Sequence, residues 1–493
     1  MDRGDDVVVA PVCISGAARP SVSMSPTFSR IAMKPNSSTA RLSSLALAAA
    51  LCLSACGGGG GGSEAPAGGA GAGADSADAA VADVIVQLQP GASVSTLAGT
   101  YRLSVVDQFG KRPIWRLRVA SGASVDAAVA ALRADPGVRF AERNEDTETP
   151  EGRRRNPIWA VGGDAGVYTS QWAPQAIDLP VSQASGTGVR VAILDTGIDL
   201  AHPVLAPRLA RRGDGALLGR DFVDDDTDPS ETGSRSDAGY GHGTHVAGLV
   251  ALVAPAATLM PARVLDQSGR GNAWVLAEAL GWAVDPDGNP ATDDGAHVIN
   301  LSLSTLQTTA LLKTVSSLAA CTFSDDDEDF ADPGFDDDRA RCGARYAAVV
   351  AAAAGNGASD SVQEFPAAEQ VPGLISVAAT TQAGRVADFS NRGSWIRVAA
   401  PGENIVSTVP GGGWGSWSGT SMATPLVAGG AALLLSTLPP SGDPARPAPR
   451  QWDTEIAAKR LADRSSALCG SSLRQIDLSA ALADVSATDP ACP

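Results

Sequence analysis

Runs of apolar residues divide the second half of the chain into short strands and longer helices. Six of the runs are apolar throughout or nearly so, which is typical of strands that are buried on both faces of a sheet. Longer apolar stretches predict helices. One opens at the motif Gly241–His245 and runs to Val253, another covers Trp274–Val284, and Leu426–Leu438 follows the last predicted strand. Strands that alternate with helices predict an α/β domain with a mainly parallel sheet covered on both faces. The predicted strands are Val189–Leu194, Thr258–Ala262, Val298–Ser302, Ala348–Ala353, Leu374–Ala379 and Trp395–Ala399.

A shorter unit with a different pattern precedes this domain, over residues 81–145. Its strands alternate polar and apolar residues, and a serine cap starts its second helix. The order indicates a β-α-β-β-α-β unit, which is the ferredoxin-like α+β arrangement. A small independent binding module is the alternative interpretation. The predicted segments are the strands Val84–Leu88, Ile114–Val119 and Val138–Glu142, and the helices Val94–Leu103 and Ser124–Arg133.

Four polar motifs stand at the ends of these apolar runs. Gly419-Thr-Ser421-Met-Ala-Thr-Pro425 opens a helix, so the Ser421 hydroxyl lies where free backbone N–H groups and the helix dipole suit an oxyanion. The second motif, Gly241-His-Gly-Thr-His245, also opens an apolar helix, whereas Asp195-Thr-Gly197 and Gly355-Asn-Gly357 each follow a strand. Alone, each motif is more simply a cap or a turn.

Together, the four motifs resemble those of the subtilisin-like serine proteases (the subtilase family) over roughly residues 171–438, and they stand in that family's catalytic order of Asp, His, Ser. The resemblance implies a subtilisin-like three-layer fold over 168–493. It implies that Ser421 is the nucleophile, that His242 is its base and that Asp195 orients the imidazole. Asn356 would donate a hydrogen bond to the oxyanion. Residues 81–145 would then be an inhibitory propeptide, and 146–167 a processing linker.

The resemblance also implies which segments bind the substrate backbone. Ser268, Gly269, Arg270 and Gly271 match the strand that pairs with one edge of a bound peptide. Ser302, Leu303 and Ser304 match the segment on the other edge. The family usually has glycine where this chain has Ser304, so the residue preferred before the cut is left open.

The N-terminal region predicts export and a lipid anchor. A basic segment with Lys34 and Arg41 precedes an apolar stretch that is too short to span a bilayer and ends at Cys56. This resembles a bacterial lipoprotein signal, so residues 1–55 would comprise an upstream segment and the signal peptide, and an ordinary secretory signal is the alternative. The Gly/Ala-rich stretch 56–80 predicts a flexible tether. Gly57 after the cysteine favours an outer-membrane lipoprotein of the cell envelope over inner-membrane retention.

Charge and cysteine content limit the partners. A net charge of −17 without a basic stripe argues against a nucleic-acid partner. The oxygen-rich runs Asp224–Asp228 and Asp285–Asn289 suit calcium, although charged surface loops are the commoner explanation. An acidic insert between Cys321 and Cys342 predicts a mobile loop that a disulfide would close, and Cys469–Cys492 is the second expected pair.

These observations lead to one functional hypothesis with two alternatives. We expect a secreted, lipid-anchored serine endopeptidase that acts as a monomer on protein or peptide substrates and needs no cofactor for its chemistry. A non-catalytic surface-binding lipoprotein on a protease fold is the first alternative. A maturation protease of narrow specificity is the second.

Overall fold

The computed structural model describes residues 82–152, 160–161, 164–180, 185–323, 330–343, 347–438 and 450–489. The expected signal segment 1–55 and the tether 56–80, with Cys56, lie outside these residues. All statements below concern the described part of the chain.

The N-terminal unit, called the prodomain below, has the predicted α+β order. Its antiparallel sheet has the strand order β2-β3-β1-β4, and the hydroxyls of Ser93 and Ser124 cap its helices. Helix α1 ends earlier than predicted because Arg102 adopts a left-handed conformation, and Leu103 already begins β2. The elements are β1 (Asp83–Leu88), α1 (Val94–Tyr101), β2 (Leu103–Gln108), β3 (Ile114–Val119), α2 (Val125–Arg133) and β4 (Val138–Arg143).

A connecting region and the larger domain follow. The connecting region, between the prodomain and the larger domain, contains β5 (Asp146–Glu148), β6 (Ala160–Val161), α3 (Ala165–Ser170) and α4 (Trp172–Ala176). The first half of the larger domain contains β7 (Arg190–Asp195), β8 (Arg220–Asp221), α5 (His242–Val253), β9 (Thr258–Arg263), β10 (Arg270–Asn272), α6 (Ala273–Val284), β11 (Val298–Leu301), α7 (Ala310–Ala320) and α8 (Asp336–Gly343). The second half contains β12 (Val349–Ala353), β13 (Leu374–Thr380), β14 (Val398–Pro401), β15 (Ile405–Val409), β16 (Gly413–Trp417), α9 (Thr420–Thr437), α10 (Arg450–Asp463), β17 (Ser466–Ala467), β18 (Arg474–Gln475) and α11 (Leu478–Ala483).

A nine-stranded sheet forms the middle layer of the larger domain, in the order β17-β18-β14-β13-β12-β11-β7-β9-β8. All of its neighbouring strands are parallel except β17 and β18. The six predicted strands are β7, β9, β11, β12, β13 and β14, so the predicted parallel sheet is confirmed. The short antiparallel pair β17–β18 forms one edge of the sheet.

Two layers of helices cover this sheet. Helices α5 and α9 pack on one face, where Val250 and Leu426 are buried in one apolar cluster with the strands. Helices α6 and α7 pack on the other face, where Leu276 and Leu312 are buried in a second cluster. The three layers account for the near-continuous apolar strands, because neither face of the sheet meets water.

The prodomain and the larger domain share part of this second cluster. Ile85, Phe109 and Ile114 of the prodomain are fully or almost fully buried among residues of α6 and α7. The prodomain keeps a separate core of its own around Val84, Leu117 and Leu132. One side of its sheet therefore packs on the larger domain as if it were another layer.

One described helix, α9, is long and apolar enough to span a membrane, but most of it is buried inside the larger domain. Its apolar length is explained by its place between the sheet and α5.

Cysteines close the acidic insert as expected. Cys321 and Cys342 form a disulfide, with their Cα atoms 5.4 Å apart. The described part of the insert is not a mobile loop, since it folds into the helix α8 and pairs with the prodomain, as detailed below. Cys469 is also in a disulfide. Its expected partner Cys492 lies outside the described residues, so that pairing stays a prediction.

The contact between α5 and α9 predicts a clear effect on stability. A Cβ atom at Gly429 would lie 2.6 Å from the Cβ atom of Val253, which is closer than side chains approach. We expect Gly429→Val to lower the free energy of unfolding by about 1–3 kcal/mol, because the packed helices cannot move apart without opening the core. Urea denaturation in an inactive Ser421→Ala background measures it. Gly213→Val is the control, since no atom lies within 4 Å of a Cβ atom there, and an equal loss in both variants would contradict the packing argument.

Candidate active site

Three elements bring the predicted catalytic residues together. Asp195 is the last residue of β7, His242 is the first residue of α5, and Ser421 is the second residue of α9. Asn356 follows β12 at the same end of the sheet. This arrangement follows from the parallel sheet, whose carboxyl ends gather polar residues at one edge.

Asp195 and His242 are directly bonded in a site without exposure to water. The Asp195 Oδ1 atom lies 2.7 Å from the His242 Nδ1 atom and also accepts a hydrogen bond of 2.8 Å from the Thr196 N–H. Both side chains are buried. The edge of the Trp417 ring system packs on the imidazole, at 5.3 Å between ring centroids. The pair therefore fixes one nitrogen of the imidazole and directs the other, Nε2, towards the cleft.

Ser421 lies within the first turn of α9, after Gly419. Its Oγ atom is 3.2 Å from the carbonyl oxygen of Ser302, and its own carbonyl oxygen accepts a hydrogen bond from the Ser302 hydroxyl at 2.9 Å. These two contacts hold the start of α9 against the segment that follows β11. The apolar pattern predicts a helix only after Pro425, whereas the observed helix includes the serine, which brings Ser421 closer to the positive end of the helix dipole.

The Asn356 side chain is oriented by Thr420. Its Oδ1 atom accepts hydrogen bonds from the Thr420 N–H at 2.9 Å and the Thr420 hydroxyl at 3.0 Å, so its Nδ2 atom points into the site as a donor. An amide donor beside a nucleophile at a helix start is the arrangement that stabilises an oxyanion.

A residue that the sequence did not single out, Glu151, occupies the centre of this site. Its Oε2 atom accepts a hydrogen bond from Ser421 Oγ at 2.7 Å and lies 3.2 Å from His242 Nε2. Its Oε1 atom accepts a hydrogen bond from Asn356 Nδ2 at 2.9 Å. One carboxylate thus contacts the predicted nucleophile, the predicted base and the predicted oxyanion donor together. A lone glutamate in a charged stretch carries no pattern that would have predicted this.

Glu151 changes the charge state of the catalytic histidine. Burial lowers the pKa of His242, but the carboxylates of Asp195 and Glu151 outweigh it and raise that pKa to about 10. Burial likewise raises the pKa of Glu151, but its contacts with His242, Ser421 and Asn356 outweigh burial and lower it overall. The imidazole is therefore protonated between two carboxylates, and a protonated imidazole cannot accept the proton of Ser421.

The chain that leads to Glu151 lies in the cleft as an extra strand. Strand β5 pairs antiparallel with β10, so that Thr147 faces Gly271. On its other edge, Glu148 exchanges two backbone hydrogen bonds of 2.9 Å with Ser304. The segment 146–148 is therefore held on both sides, as a bound peptide is in β-augmentation. These residues are the first of the predicted processing linker 146–167, of which residues 153–159 and 162–163 lie outside the described part.

Most of the expected substrate-binding residues contact this strand. The Gly269 carbonyl accepts from the Thr149 N–H at 3.0 Å, and Arg270 and Gly271 belong to the pairing strand β10. Ser268 instead forms the turn before it, through a bond from its N–H to Asp266. Ser302 contacts Ser421, and Leu303 is fully buried below the cleft. A turn follows at Thr149, whose carbonyl accepts from the Gly152 N–H.

Ser304, where the family usually has glycine, brings a second carboxylate close to the cleft. Its hydroxyl donates to Glu364 Oε2 at 2.5 Å. Glu364 is buried, accepts a bond of 3.2 Å from Asn391 Nδ2, and approaches Gly355 so closely that a Cβ atom there would overlap its carboxylate. The hydrogen bond to Glu364 therefore keeps the Ser304 side chain from pointing into the cleft, and the Glu364 carboxylate lies next to it.

Glu231 is another site residue that the sequence analysis missed. Its Oε1 atom accepts from the Thr196 hydroxyl, and its Oε2 atom accepts from the Thr244 hydroxyl, each at 2.7 Å. Thr196 follows the catalytic aspartate and Thr244 lies two residues after the catalytic histidine. Burial raises the pKa of Glu231 to about 7, against the lowering effect of the two threonine hydroxyls. Through these two hydrogen bonds, Glu231 connects the end of β7 with the start of α5.

The remaining histidines serve the scaffold in this structure. His245 Nε2 lies 3.1 Å from the Ile405 carbonyl oxygen and 3.3 Å from that of Gly415, which joins α5 to β15 and β16. Burial lowers the pKa of His245 to about 3, so it is neutral. His202 Nε2 lies 3.0 Å from the carbonyl oxygen of Gly413. His297 Nδ1 accepts from the Arg190 N–H at 3.0 Å.

Of the two acidic runs considered for calcium, one is paired with arginines. Asp224 bonds Arg263, and Asp225 bonds Arg220. In the other run, Asp285 and Asp287 come together with Asp294, with one carboxylate oxygen of each within 4.8 Å of the others.

Comparisons with known proteins agree with this geometry. Residues 186–461 match the Subtilase family, and residues 68–144 match the fervidolysin N-terminal prodomain. Subtilisin E of Bacillus subtilis is 32% identical over 361 residues, which cover 70% of this chain and 79% of that protein. Thermitase of Thermoactinomyces vulgaris is 36% identical over 283 residues, covering 54% of this chain and 82% of that protein.

Among solved structures, the chain is similar to fervidolysin from Fervidobacterium pennivorans, described as a keratinolytic enzyme related to subtilisin. The TM-score is 0.59 at 25% identity, and the likeness covers 82% of this chain and 61% of that one. The family match covers more than half of this chain, and its catalytic motifs meet in one buried site behind a family-type prodomain. The chain therefore belongs to the subtilase family of serine endopeptidases.

Proposed function

We propose that this chain is the precursor of a secreted, lipid-anchored serine endopeptidase whose own Glu151 keeps it inactive until the prodomain is cut away. The observation that carries the proposal is the single carboxylate bonded to Ser421, His242 and Asn356. These three contacts are possible only because the side chains of Ser421, His242 and Asn356 all face one small oxygen-rich group. A bound peptide would present its carbonyl oxygen and attacked carbon to the same three groups.

In the proposed mechanism, Glu151 leaves first. His242 then loses the second of its two anionic neighbours, its pKa falls, and the neutral imidazole accepts the proton of Ser421 as the oxygen attacks the peptide carbonyl. Asp195 holds the Nδ1–H and stabilises the imidazolium that forms. Asn356 Nδ2 and the backbone N–H of Ser421 donate to the oxyanion, and the imidazolium gives its proton to the leaving amine as the peptide C–N bond breaks. A water molecule, deprotonated by His242, then hydrolyses the acyl ester on Ser421, which releases the second product and restores the serine. No cofactor takes part in these steps.

Protein or peptide substrates would bind where β5 lies now. Both edges of that strand are paired, by β10 and by Ser304, and this pairing uses backbone atoms, which supports broad use of extended peptides. The carboxylate of Glu364 behind Ser304 supports some selectivity beside the cut, so the narrow maturation protease remains the second candidate.

A structural calcium ion is a separate part of the proposal. The three carboxylates around Asp287 are where it would bind.

The proposed envelope location depends on Cys56 and on the Gly/Ala-rich tether after it. Lipid on Cys56 would anchor the mature protein to a bacterial membrane, with Gly57 favouring the outer one, and the protease would act there as a monomer.

The first prediction concerns self-processing. When residues 64–493 are produced, we expect wild type to shed the prodomain by a cut after Glu148 and before Ala165, while Ser421→Ala stays whole. Electrophoresis over time with mass spectrometry of the products measures this. A serine-directed phosphonate should label the wild type and leave Ser421→Ala unlabelled. Labelling of neither protein would favour the non-catalytic lipoprotein, and equal cutting of both would show that a host protease acts.

The second prediction concerns Glu151. Glu151→Gln keeps the size of the side chain but removes the negative charge, so the pKa of His242 should fall and self-processing at neutral pH should be faster. The titration of the His242 NMR signal in a Ser421→Ala background measures the pKa. Asp146→Asn, which alters an exposed carboxylate on β5 five residues before Glu151, is the control and should change neither quantity. An unchanged histidine titration in Glu151→Gln would contradict the proposal.

The same pair of charges predicts a pH window for the inhibited state. Because the pKa of His242 is raised in the precursor, its contribution to stability is complete below its ordinary pKa and is lost as the pH rises through about 10. Because the pKa of Glu151 is lowered, its contribution is lost as the pH falls through that lowered value. In Glu151→Gln, this contribution of residue 151 to the decrease in the free energy of unfolding on acidification should be absent.

The third prediction concerns the anchor. Cells given a fatty-acid analogue should label the wild-type protein, and Cys56→Ala should lose the label because no thiol remains to carry the lipid. Cys52→Ala, within the same apolar stretch, is the control and should keep it. Equal labelling of wild type and Cys56→Ala would contradict the lipoprotein assignment.

A further inference from the structure

We propose that the acidic insert between Cys321 and Cys342 is a clamp that retains the prodomain on the catalytic domain after the chain between them has been cut. This inference rests on the proposed function, in which prodomain release frees the cleft. It assigns a role to a segment that the catalytic mechanism does not use. The occupant of the clamp is the prodomain turn 109–113, between β2 and β3.

The clamp has a buried ion pair at its centre. The Arg112 guanidinium makes two hydrogen bonds to the Asp338 carboxylate, of 2.8 Å from Nε and 2.7 Å from Nη2. The side chains of Arg112 and Asp338 are only 17% and 4% exposed. A bidentate pair of this kind is geometrically specific, and breaking it on one side leaves the other charge buried. Lys111 and Asp337 make a second contact of 2.8 Å, but both are well exposed, so its contribution is small.

Backbone packing makes the clamp selective for this turn. A Cβ atom at Gly334 of the insert would lie 2.5 Å from the Lys111 carbonyl oxygen and 2.9 Å from the Arg112 Cα atom. The insert therefore touches the backbone of the turn at a point where only glycine fits. Gly334 lies in a short 3₁₀ turn that Asp332 caps through the Gly334 N–H.

An aromatic contact with α6 also holds the prodomain turn. The Phe109 ring packs edge-on against Trp274, with 6.2 Å between centroids, and a Cβ atom at Gly281 would lie 3.1 Å from its Cζ atom. The Arg112 guanidinium lies 4.4 Å above the Phe109 ring. The prodomain turn thus inserts an aromatic ring between α6 and the insert while its arginine bonds the insert.

The charges of the insert suit retention by a cationic turn. Asp338 has Arg341 at 3.9 Å on the catalytic side, and Arg341 is itself buried and bonded to the Leu318 carbonyl. A cleft of about 1390 Å³ runs along the junction, lined by Lys111, Arg112 and Asp337 among other residues. Solvent therefore reaches one side of the ion pairs, and salt should weaken the clamp.

The test separates retention from catalysis. In the full chain with Ser421→Ala, residues 153–159 are replaced by the recognition sequence of a site-specific protease, the chain is cut there, and prodomain release is followed by size-exclusion chromatography. Because the catalytic serine is absent, the result does not depend on whether the enzyme is active. Failure of self-processing in the wild type would overturn the proposed function alone.

We expect release to be at least about tenfold faster in Asp338→Asn, because a buried charged hydrogen-bond partner is lost. Gly334→Ala should also release faster, since its methyl group would meet the backbone of the turn. The matched controls are Asp336→Asn on the same helix, whose carboxylate bonds Arg339, and Gly343→Ala, where no atom lies within 4 Å of a Cβ atom. Both controls should release the prodomain at the wild-type rate.

Two further variants keep the result decisive. Arg112→Gln removes the pair from the prodomain side and leaves the catalytic domain unaltered, so it tests the clamp even if Asp338→Asn folds poorly. The double variant Arg112→Gln with Asp338→Asn should release no faster than the faster single variant, because both remove one interaction. Unchanged release in Arg112→Gln and Gly334→Ala would overturn the proposal. Equal acceleration in the two controls would also overturn it.

Discussion

The hydrogen bond between Asp195 and His242 is the contact on which the rest of the site depends. It joins the end of a central strand to the start of a helix on one face of the sheet, in a place where neither side chain meets water. A buried carboxylate and imidazole are stable together only if the elements that carry them are fixed. Glu231 supports this contact through the threonines beside each residue, and Trp417 excludes solvent from the other side.

Under the proposed function, the same contact explains how the precursor is held inactive. The Asp195 carboxylate favours the protonated, cationic form of the imidazole. A second carboxylate at Nε2 then places this cation between two anions. The chain supplies this carboxylate from Glu151, in the turn that follows a strand paired like a substrate. A feature that prepares the histidine for catalysis therefore also prepares it for inhibition, and the state of the enzyme depends on which group faces Nε2.

Much of the fold could be predicted because its causes are local. The strands of the parallel sheet are apolar throughout, and the serine-capped helices of the prodomain have their start signals in adjacent residues. The candidate catalytic residues could be named from the sequence because each belongs to a motif with glycines or a helix start around it, and their proximity could be expected because these motifs stand at strand ends and helix starts. Glu151, Glu231 and Glu364 could not, since each acts through partners far away in the sequence. The insert shows the same limit: its charge predicted repulsion, whereas Arg112, more than two hundred residues earlier, neutralises Asp338.

The shared core has a consequence for the mature protein's surface. Ile85, Phe109 and Ile114 of the prodomain are buried against helices α6 and α7, where Trp274 is also buried. When the prodomain leaves, these helices lose an apolar cover and gain contact with water. The cut that opens the cleft thus also creates a hydrophobic patch beside it. With the proposed anchor at Cys56, that patch would lie close to lipid and to neighbouring proteins, and the proposed maturation would change the surfaces that the enzyme contacts as well as its access to substrates.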